Sequence, residues 1–343
     1  MKLLFSAFLF SVISFPSAVC QTTFSNNRES FFKDTSVINA TLLVDMSRVF
    51  KHSKHGDVFN GNFLTTLADG TKVNDPVQLQ IRGHFRQDFC YVPPIKIKFS
   101  YRDSAKLTFL KSLKLVSECK VSPDHDQLLL KEYLVYKIYN LLTSRSFNAR
   151  LLNLTFQDSM GKKKPFTEHA FLLEDVGDVG KRNDCLEWKR GKVNTEATDR
   201  RQMTMVAIFE YMIGNTDWAV SVEHNIRLIV SAKDTFSRPF PVPYDFDYSG
   251  LVNTYYAIPD EKLEIENVTT RVYRGFPRSM GELQQVLDTF RLKKKEIYEL
   301  INNFSLLNDK NKQSMTGFLD GFYTEINIPS VVQNVFIDHA RTE

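Results

Sequence analysis

The chain has 343 residues, of which 43% are hydrophobic, 24% charged and 13% aromatic. This balance is typical of a globular protein with a large core, and it excludes collagen-like, low-complexity and wholly disordered chains. The formal net charge is +4, from 44 Lys and Arg against 40 Asp and Glu. So small an excess of positive charge argues against a nucleic acid or a membrane surface as the main partner.

The first twenty residues resemble an export signal. Lys2 precedes the apolar run LLFSAFLFSVISF, and small residues follow it up to Ala18. A positive start, a short apolar stretch and small residues before a cleavage site are typical of a secretory signal peptide. The run is shorter than the roughly 20 apolar residues of a membrane span. We therefore expect residues 1–20 to be removed and the rest to be exported to the periplasm or cell envelope without a transmembrane span. Lipidation of Cys20 is the less favoured alternative.

Three cysteines remain after residue 20, and export permits disulfides. Cys90 and Cys119 both flank apolar, strand-like segments, so these two are predicted to pair. Cys185 lies in a polar stretch and is predicted to be free. Three unpaired thiols remain the alternative, because spacing alone does not fix connectivity.

Residues 36–175 are mostly strand-like and follow a polar stretch, residues 21–35, that is predicted to be a loose tail. Apolar residues and lysines alternate over 95–99, which is the period of a half-buried strand. Ser122 is a suitable N-cap for a helix over DQLLLKEYLVYKIYNLLT. Further strands are predicted in ATLLVDM, VFNGNFLTTL, VQLQIRG and LKLV, and a hairpin in RLLNLTF and FTEHAFLLE.

Residues 176–343 are mostly helical after a polar loop that ends near residue 198. Asp199 caps the run RRQMTMVAIFEYMI, which is apolar on nearly all sides and ends at Gly214, so it predicts a buried helix. Short strands are predicted in IRLIV and FPVPY, and helical periodicity returns over 281–327. Strands with one helix, followed by mostly helices, predict an α+β protein with a β-rich N-lobe at 36–175 and a helical C-lobe at 176–343.

Four side chains in the window 211–250 are candidates for catalysis or metal binding. Asp217 follows the end of the buried helix, Asn225 precedes a strand, and Asp245 and Asp247 lie among aromatic residues. Acids in such surroundings are costly to bury unless they are paired, hydrogen-bonded or bound to a cation. Carboxylate and amide oxygens are also ligands of Mg²⁺, with phosphate completing its shell. The order of these residues therefore predicts phosphoryl transfer. Turn caps and loop acids are the alternative interpretation.

The window IGNTDW…HN…PYDFDYSG resembles the GN-x-D-W…NN…P-W-D-F-D…G signature of CotH-type atypical kinases, the secretory family defined on spore coat protein H. Upstream, LQIRGHF and PPIKIKF are similar to the family's RGN and IKF segments. LKEYLVYKIYNLL resembles its arginine–glutamate helix, and FLLEDV its lobe-connecting strand. The resemblance covers residues 78–252 and extends to exported proteins of gut-type Bacteroidetes. It implies a two-lobed, protein-kinase-like fold.

The resemblance also implies a role for each matching residue. Asp217 would be the catalytic carboxylate, and Asn225 and Asp245 would hold the metal, with Asp247 assisting. The expected cofactors are Mg²⁺ or Mn²⁺, with ATP as co-substrate. The residues expected to bind the nucleotide are Lys96, Lys98, Glu132 and Glu174, with Lys114 as a third candidate for the phosphate-binding lysine. His224 is interpreted as a histidine satisfied by a backbone carbonyl.

The chain departs from the family pattern at two places. Val92 and Pro93 stand where the family has a pair of lysines, and His84 replaces the usual Asn after RG. The expected function is an exported kinase that transfers the γ-phosphoryl group of ATP to a hydroxyl of a protein or glycan. A catalytically inactive, pseudokinase-like binding module of the cell envelope is the alternative, and a metal-dependent phosphoesterase is a third interpretation.

Overall fold

The computed structural model describes residues 27–51, 53–67, 69–82, 90–99, 105–120 and 122–342. The predicted signal peptide and His84 lie outside the described residues. The predicted loose tail is wrong for its last part, because helix α1 forms at Arg28–Lys33. Asn27 caps this helix, and the helix buries Phe31 and Phe32 in the apolar core.

The first part of the chain is a closed barrel of seven strands. Its order is β1-β2-β3-β4-β5-β7-β6. All neighbours in the barrel are antiparallel except β1 and β6, whose parallel pairing closes the barrel and sets Leu42 beside Phe156. The strands are β1 (Ile38–Val44), β2 (Val58–Thr66), β3 (Lys72–Ile81), β4 (Ile95–Lys98), β5 (Ser112–Ser117), β6 (Ala149–Asp158) and β7 (Phe166–Leu173).

The expected two-lobed, protein-kinase-like fold is wrong. The strands close into a barrel, and the second part of the chain contains its own sheet in addition to helices. Alternation of apolar residues correctly predicts most of the strands and the β6–β7 hairpin. It does not predict that β6 also pairs with β1, because that register is set by residues far apart in the sequence.

The second part of the chain packs helices around a three-stranded sheet with the order β10-β9-β8. α3 belongs to both parts, since it packs against β6 and β7 of the barrel and against α6. Together these elements form a second apolar core, distinct from that of the barrel. The remaining elements are α2 (Met46–Lys51), α3 (Pro123–Leu142), α4 (Val176–Arg182), β8 (Cys185–Glu187), α5 (Arg200–Ile213), β9 (Ile226–Ser231), β10 (Phe240–Pro243), α6 (Met280–Asn302), α7 (Asp309–Glu325) and α8 (Pro329–Gln333).

α5 begins and ends where the sequence predicts. Asp199 accepts a hydrogen bond from the Gln202 amide at its start, and Gly214 adopts φ +67° at its end. Nearly all of the helix is buried, as its apolar composition predicts. None of the helices in the described part of the chain combines the length and hydrophobicity that a membrane span requires.

The predicted disulfide between Cys90 and Cys119 is confirmed. It links the segment before β4 to the segment after β5. Cys185 is free, as predicted, but it is buried at the start of β8. The cross-link holds together the two chain segments that flank β4 and β5.

Candidate active site

One cleft of about 560 Å³ brings together all four predicted residues of the window 211–250. Asp217, Asn225, Asp245 and Asp247 line one side of it. The opposite side is formed by barrel residues, among them Lys114 on β5. The cleft therefore lies where the end of β3 and β5 of the barrel face the loops that follow α5 and β10 and the start of β9.

The end of α5 fixes the position of Asp217. Gly214 ends the helix in the left-handed region, and a Cβ there would lie 3.0 Å from the Phe318 ring, so glycine is required. Asn215 is buried, and its Oδ1 accepts a hydrogen bond from the Asp217 amide at 3.0 Å. Its Nδ2 donates to Glu210 Oε2 at 2.9 Å. The turn that carries Asp217 is thus anchored to the helix beneath it.

The Asp217 carboxylate is held from two sides. Asn225 Nδ2 donates to Asp217 Oδ2 at 2.9 Å and to its carbonyl oxygen at 2.8 Å. His224 Nε2 lies 2.8 Å from Asp217 Oδ1. The interpretation of His224 as bonded to a backbone carbonyl is wrong, because its ring contacts this carboxylate. Since the amide nitrogen of Asn225 is committed to Asp217, its Oδ1 is the atom that remains for a metal ligand.

Asp245 and Asp247 are held on either side of a buried phenylalanine. Phe246 is fully buried and packs 4.7 Å from the Tyr136 ring of α3. The Tyr136 hydroxyl accepts a hydrogen bond from the Asp245 amide at 2.8 Å, and Asp245 adopts φ +67°. Asp247 is buried, and its Oδ2 accepts from the Tyr256 hydroxyl at 2.8 Å. Packing of Phe246 therefore presents both acids to the same cleft.

Cationic side chains line the cleft from both parts of the chain: Arg82 and Lys114 from the barrel, and Arg227 from the start of β9. Lys114 Nζ lies 4.1 Å from the centre of the Tyr244 ring. Burial lowers the pKa of Lys114 to about 7, helped by the positive charges of Arg82 and Arg227 and opposed by Asp245. The cleft therefore carries its acids on one wall and Lys114 and Arg82 on the barrel wall, and the charge of Lys114 depends on the charges around it.

The residues predicted to bind the nucleotide do not come together. Lys96 and Lys98 alternate with the buried Ile95 and Ile97 along β4, and neither lysine lines the cleft. Lys96 pairs directly across the sheet with Lys114, so the lysine that reaches the cleft is one strand away.

The two predicted glutamates also lie outside the cleft. Glu132 is buried on α3 and lines a small adjoining cavity that it shares with Asp247. Glu174 lies at the end of β7, where its Oε1 accepts from Arg182 Nε at 3.0 Å and its Oε2 from the Asn148 amide at 2.8 Å. Burial raises the pKa of Glu174, and Arg182 opposes this. Glu174 thus ties β7 to α4 and does not face the cleft.

The carboxylate and amide oxygens that line the cleft fit part of the coordination shell of Mg²⁺. In the described ranges no three side chains of His, Cys, Asp or Glu form a group that could hold a metal by themselves. Mg²⁺ does not need one, because it commonly binds through one or two carboxylates, with phosphate and water completing six oxygens. Asp245 lines the cleft, and its carboxylate makes no hydrogen bond or ion pair to any described residue. Asp245, Asp247 and Asn225 Oδ1 therefore offer hard oxygen ligands on one wall.

Sequence reasoning missed the support beneath the turn that carries Asp217. The support consists of Glu210 and Asn215, and the single acid in the apolar run MVAIFEYMI is the sequence signal of a special environment there. An Asn two residues before Asp217 is likewise the spacing of a side chain that caps its own turn.

No protein-family model matches the chain, and no curated protein matches it either. The function is therefore argued from the geometry of the cleft.

Proposed function

We propose that the protein is a Mg²⁺-dependent phosphotransferase that moves the γ-phosphoryl group of ATP to a hydroxyl of a protein or glycan. The observation that carries this proposal is the shared cleft of Asp217, Asn225, Asp245 and Asp247 opposite Lys114. The cleft volume of about 560 Å³ lies within the range of small-molecule sites, roughly 300–1,000 Å³.

The two walls suit a triphosphate with its cation. Lys114 and Arg82 would neutralise phosphate oxygens from the barrel side, and Arg227 would do so from the start of β9. Asp245, Asn225 Oδ1 and Asp247 would hold Mg²⁺, which when bound would neutralise charge on the phosphates. A basic wall alone would suit any anion, and an acidic wall alone any cation. Both together favour an anion that carries a divalent cation.

Asp217 is the group placed to orient the acceptor hydroxyl and take its proton. Its carboxylate is half-buried and already fixed by Asn225 and His224. A positioned base close to the cleft lowers the barrier by holding the nucleophile in line rather than by forming a covalent bond. Fixing the carboxylate before the substrate binds reduces the reorganisation that the reaction requires.

We also propose that the chain is exported to the periplasm or cell envelope. The disulfide between Cys90 and Cys119 supports this, because disulfides persist in oxidising compartments and are rare in the cytosol. Fractionation of cells that express the full chain, followed by thiol labelling, tests this part of the proposal. A cytosolic chain in which Cys90 and Cys119 react as free thiols would contradict it.

Nucleotide binding is tested by thermal unfolding with and without Mg-ATP. The wild type should be stabilised by about 2.7 kcal/mol when the ligand is at a hundred times its Kd. Asp245→Asn should lose the Mg²⁺-dependent part of this stabilisation. Lys114→Met should weaken binding, and Lys96→Met is the matched control because Lys96 lies opposite Lys114 but outside the cleft.

Phosphoryl transfer is tested with γ-labelled ATP and mixed protein and glycan acceptors. Transfer should disappear in Asp217→Asn while Mg-ATP still binds. Binding by the wild type without transfer to any acceptor would favour the inactive binding module. Turnover of a simple phosphoester without ATP would favour the phosphoesterase. If millimolar Mg-ATP gives no stabilisation, the proposal is wrong.

A further inference from the structure

Helix α5 carries one acid in an otherwise apolar surrounding. Glu210 is 1% exposed, and neighbouring helix residues such as Ile208 and Met212 are fully buried. Its Oε2 accepts one hydrogen bond, from Asn215 Nδ2 at 2.9 Å. Its Oε1 is buried and has no hydrogen-bond partner among the residues that the structure describes. A carboxylate with so few bonds is costly to bury in its charged form, so the position requires an explanation.

Asn215 connects Glu210 to the turn of residues 214–217 that carries Asp217, called here the catalytic turn. Besides its side-chain bond to Glu210, the Asn215 backbone amide donates to the Glu210 carbonyl at 2.8 Å. On its other side, Asn215 Oδ1 accepts from the Asp217 amide at 3.0 Å. The buried amide of Asn215 therefore uses its donor on Glu210 and its acceptor on Asp217. If the bond to Glu210 were lost, Asn215 could rotate and the Asp217 amide would lose its acceptor.

The surroundings of Glu210 favour its neutral form at neutral pH. Burial raises the pKa of Glu210 to about 8, and the negative charge of Asp217 adds to this, while Asn215 and Arg274 oppose it. Among the residues that the structure describes, Tyr139 on α3 also faces it, and the pKa of Tyr139 is itself raised by burial and by Glu210. Arg274 does not form an ion pair with Glu210 in the described structure. Its guanidinium donates to the Thr216 carbonyl, on the turn just before Asp217.

We infer that Glu210 is a positioning residue for the reaction proposed above. Its carboxyl group orients Asn215, and Asn215 fixes the backbone of Asp217. Glu210 does not line the cleft, so it acts through Asn215 alone. Ionisation of Glu210 would place a second negative charge in an apolar site near the charge of Asp217. Opening the turn to water would reduce the free-energy cost of burying this charge. The catalytic turn should therefore loosen at alkaline pH.

The test compares Glu210→Gln, Glu210→Ala and the wild type. Glutamine keeps the oxygen that accepts from Asn215 and cannot ionise, whereas alanine removes the acceptor. Ile208→Ala is the matched control, because it opens a cavity in the same helix without touching the turn. Two readouts are used between about pH 6 and pH 9: hydrogen exchange of the Asp217 amide, and steady-state kcat and KM for ATP.

We expect Glu210→Ala to exchange the Asp217 amide about tenfold faster and to lower kcat about tenfold, as the loss of one buried hydrogen bond would do, with little change in KM. In the wild type the same amide should become less protected as the pH rises through about 8, while Glu210→Gln should stay protected and active. Ile208→Ala should lose stability but keep the exchange rate and kcat.

Hydrogen exchange separates the two proposals, since it needs no activity. If the wild type transfers no phosphate but Glu210→Ala still exposes the Asp217 amide, the proposed phosphotransferase activity is wrong. Glu210 would then still position the turn that carries Asp217. If exchange is equal in wild type, Glu210→Ala and Glu210→Gln, the positioning role is wrong. Equal kcat in Glu210→Ala and wild type would also overturn it.

Discussion

The charge state of Lys114 provides a direct test of the basic wall of the cleft. Burial and the neighbouring Arg82 and Arg227 lower its pKa to about 7. A phosphate group bound in the cleft would add a nearby negative charge and raise this pKa again. Binding of Mg-ATP should therefore take up a proton at Lys114, and the affinity should fall as the pH rises.

The size of this effect follows from the pKa of the free protein. With a pKa of about 7, Lys114 is about nine-tenths charged at pH 6 and about one-tenth charged at pH 8. If bound phosphate keeps Lys114 charged up to pH 8, the Kd for Mg-ATP should rise about tenfold over this range. Lys114→Met removes the titrating group, so its Kd should be high and nearly independent of pH.

Isothermal titration calorimetry in two buffers of different ionisation enthalpy measures both the Kd and the protons taken up. At pH 8 the wild type should take up close to one proton per nucleotide. Lys96→Met should behave like the wild type, because Lys96 lies outside the cleft. Lys114→Met also reports any proton that the nucleotide itself takes up or releases on binding. A wild-type Kd that is constant from pH 6 to pH 8, or an equal slope in Lys114→Met, would refute the reasoning.

Three further predictions concern stability. Between the ordinary glutamate pKa of 4.5 and the folded-state pKa of about 8, folded wild-type protein keeps a proton on Glu210 that the unfolded chain releases. The unfolding free energy of the wild type should therefore fall by about 1.4 kcal/mol for each unit that the pH rises over this range. Glu210→Gln should remove this dependence on pH. Urea titrations give this slope, and parallel curves for variant and wild type would contradict it. Reduction of Cys90–Cys119, which are 29 residues apart, should lower the unfolding free energy by about 3.5 kcal/mol. The melting temperature with and without reductant measures this, and a Cys90→Ser, Cys119→Ser double variant should not respond. Asn225 adopts φ +51°, so Asn225→Ala should be about 1–2 kcal/mol less stable than Asn225→Gly. Calorimetry compares the two, and equal stabilities would show that the backbone strain is unimportant.

Much of the local structure could be predicted from the sequence, because its causes are local. Asp199 and Gly214 mark the ends of α5 through capping and a left-handed turn. Alternation over 95–99 correctly predicts that the isoleucines of β4 are buried and its lysines are not. The cysteine pair follows from two segments that flank neighbouring strands.

Closure of the barrel could not be predicted in the same way. β1 pairs in parallel with β6 along the full length of β1, from Ile38 beside Leu152 to Val44 beside Asp158. Each strand has an ordinary alternating pattern that suits an open sheet as well as a closed one. The choice between an open sheet and a closed barrel depends on how many strands fit around the core and how far each strand is tilted. No single segment of the sequence determines either quantity.

The lysine proposed to bind phosphate could not be identified from the sequence for a similar reason. Lys96 and Lys114 lie on adjacent strands, opposite each other and on the same face of the sheet. Sequence pattern treats the two positions as equivalent, since both alternate with buried apolar residues. Only the packing of the second part of the chain against the barrel decides that Lys114 meets Tyr244 and Asp245 while Lys96 does not.

The spacing of Asp217 and Asn225 predicts that their side chains come together, and this prediction does not depend on the fold, which was predicted wrongly. The two residues are eight positions apart, a longer loop than the D-x-x-x-x-N of protein kinases. The extra length is absorbed locally: Ala219 and His224 pair across the loop, and Asn225 turns back in the left-handed region to reach Asp217. A loop closed by its own backbone can present an aspartate and an asparagine together on many scaffolds. The pairing of these two side chains therefore argues for the chemistry of the cleft without requiring the fold of a protein kinase.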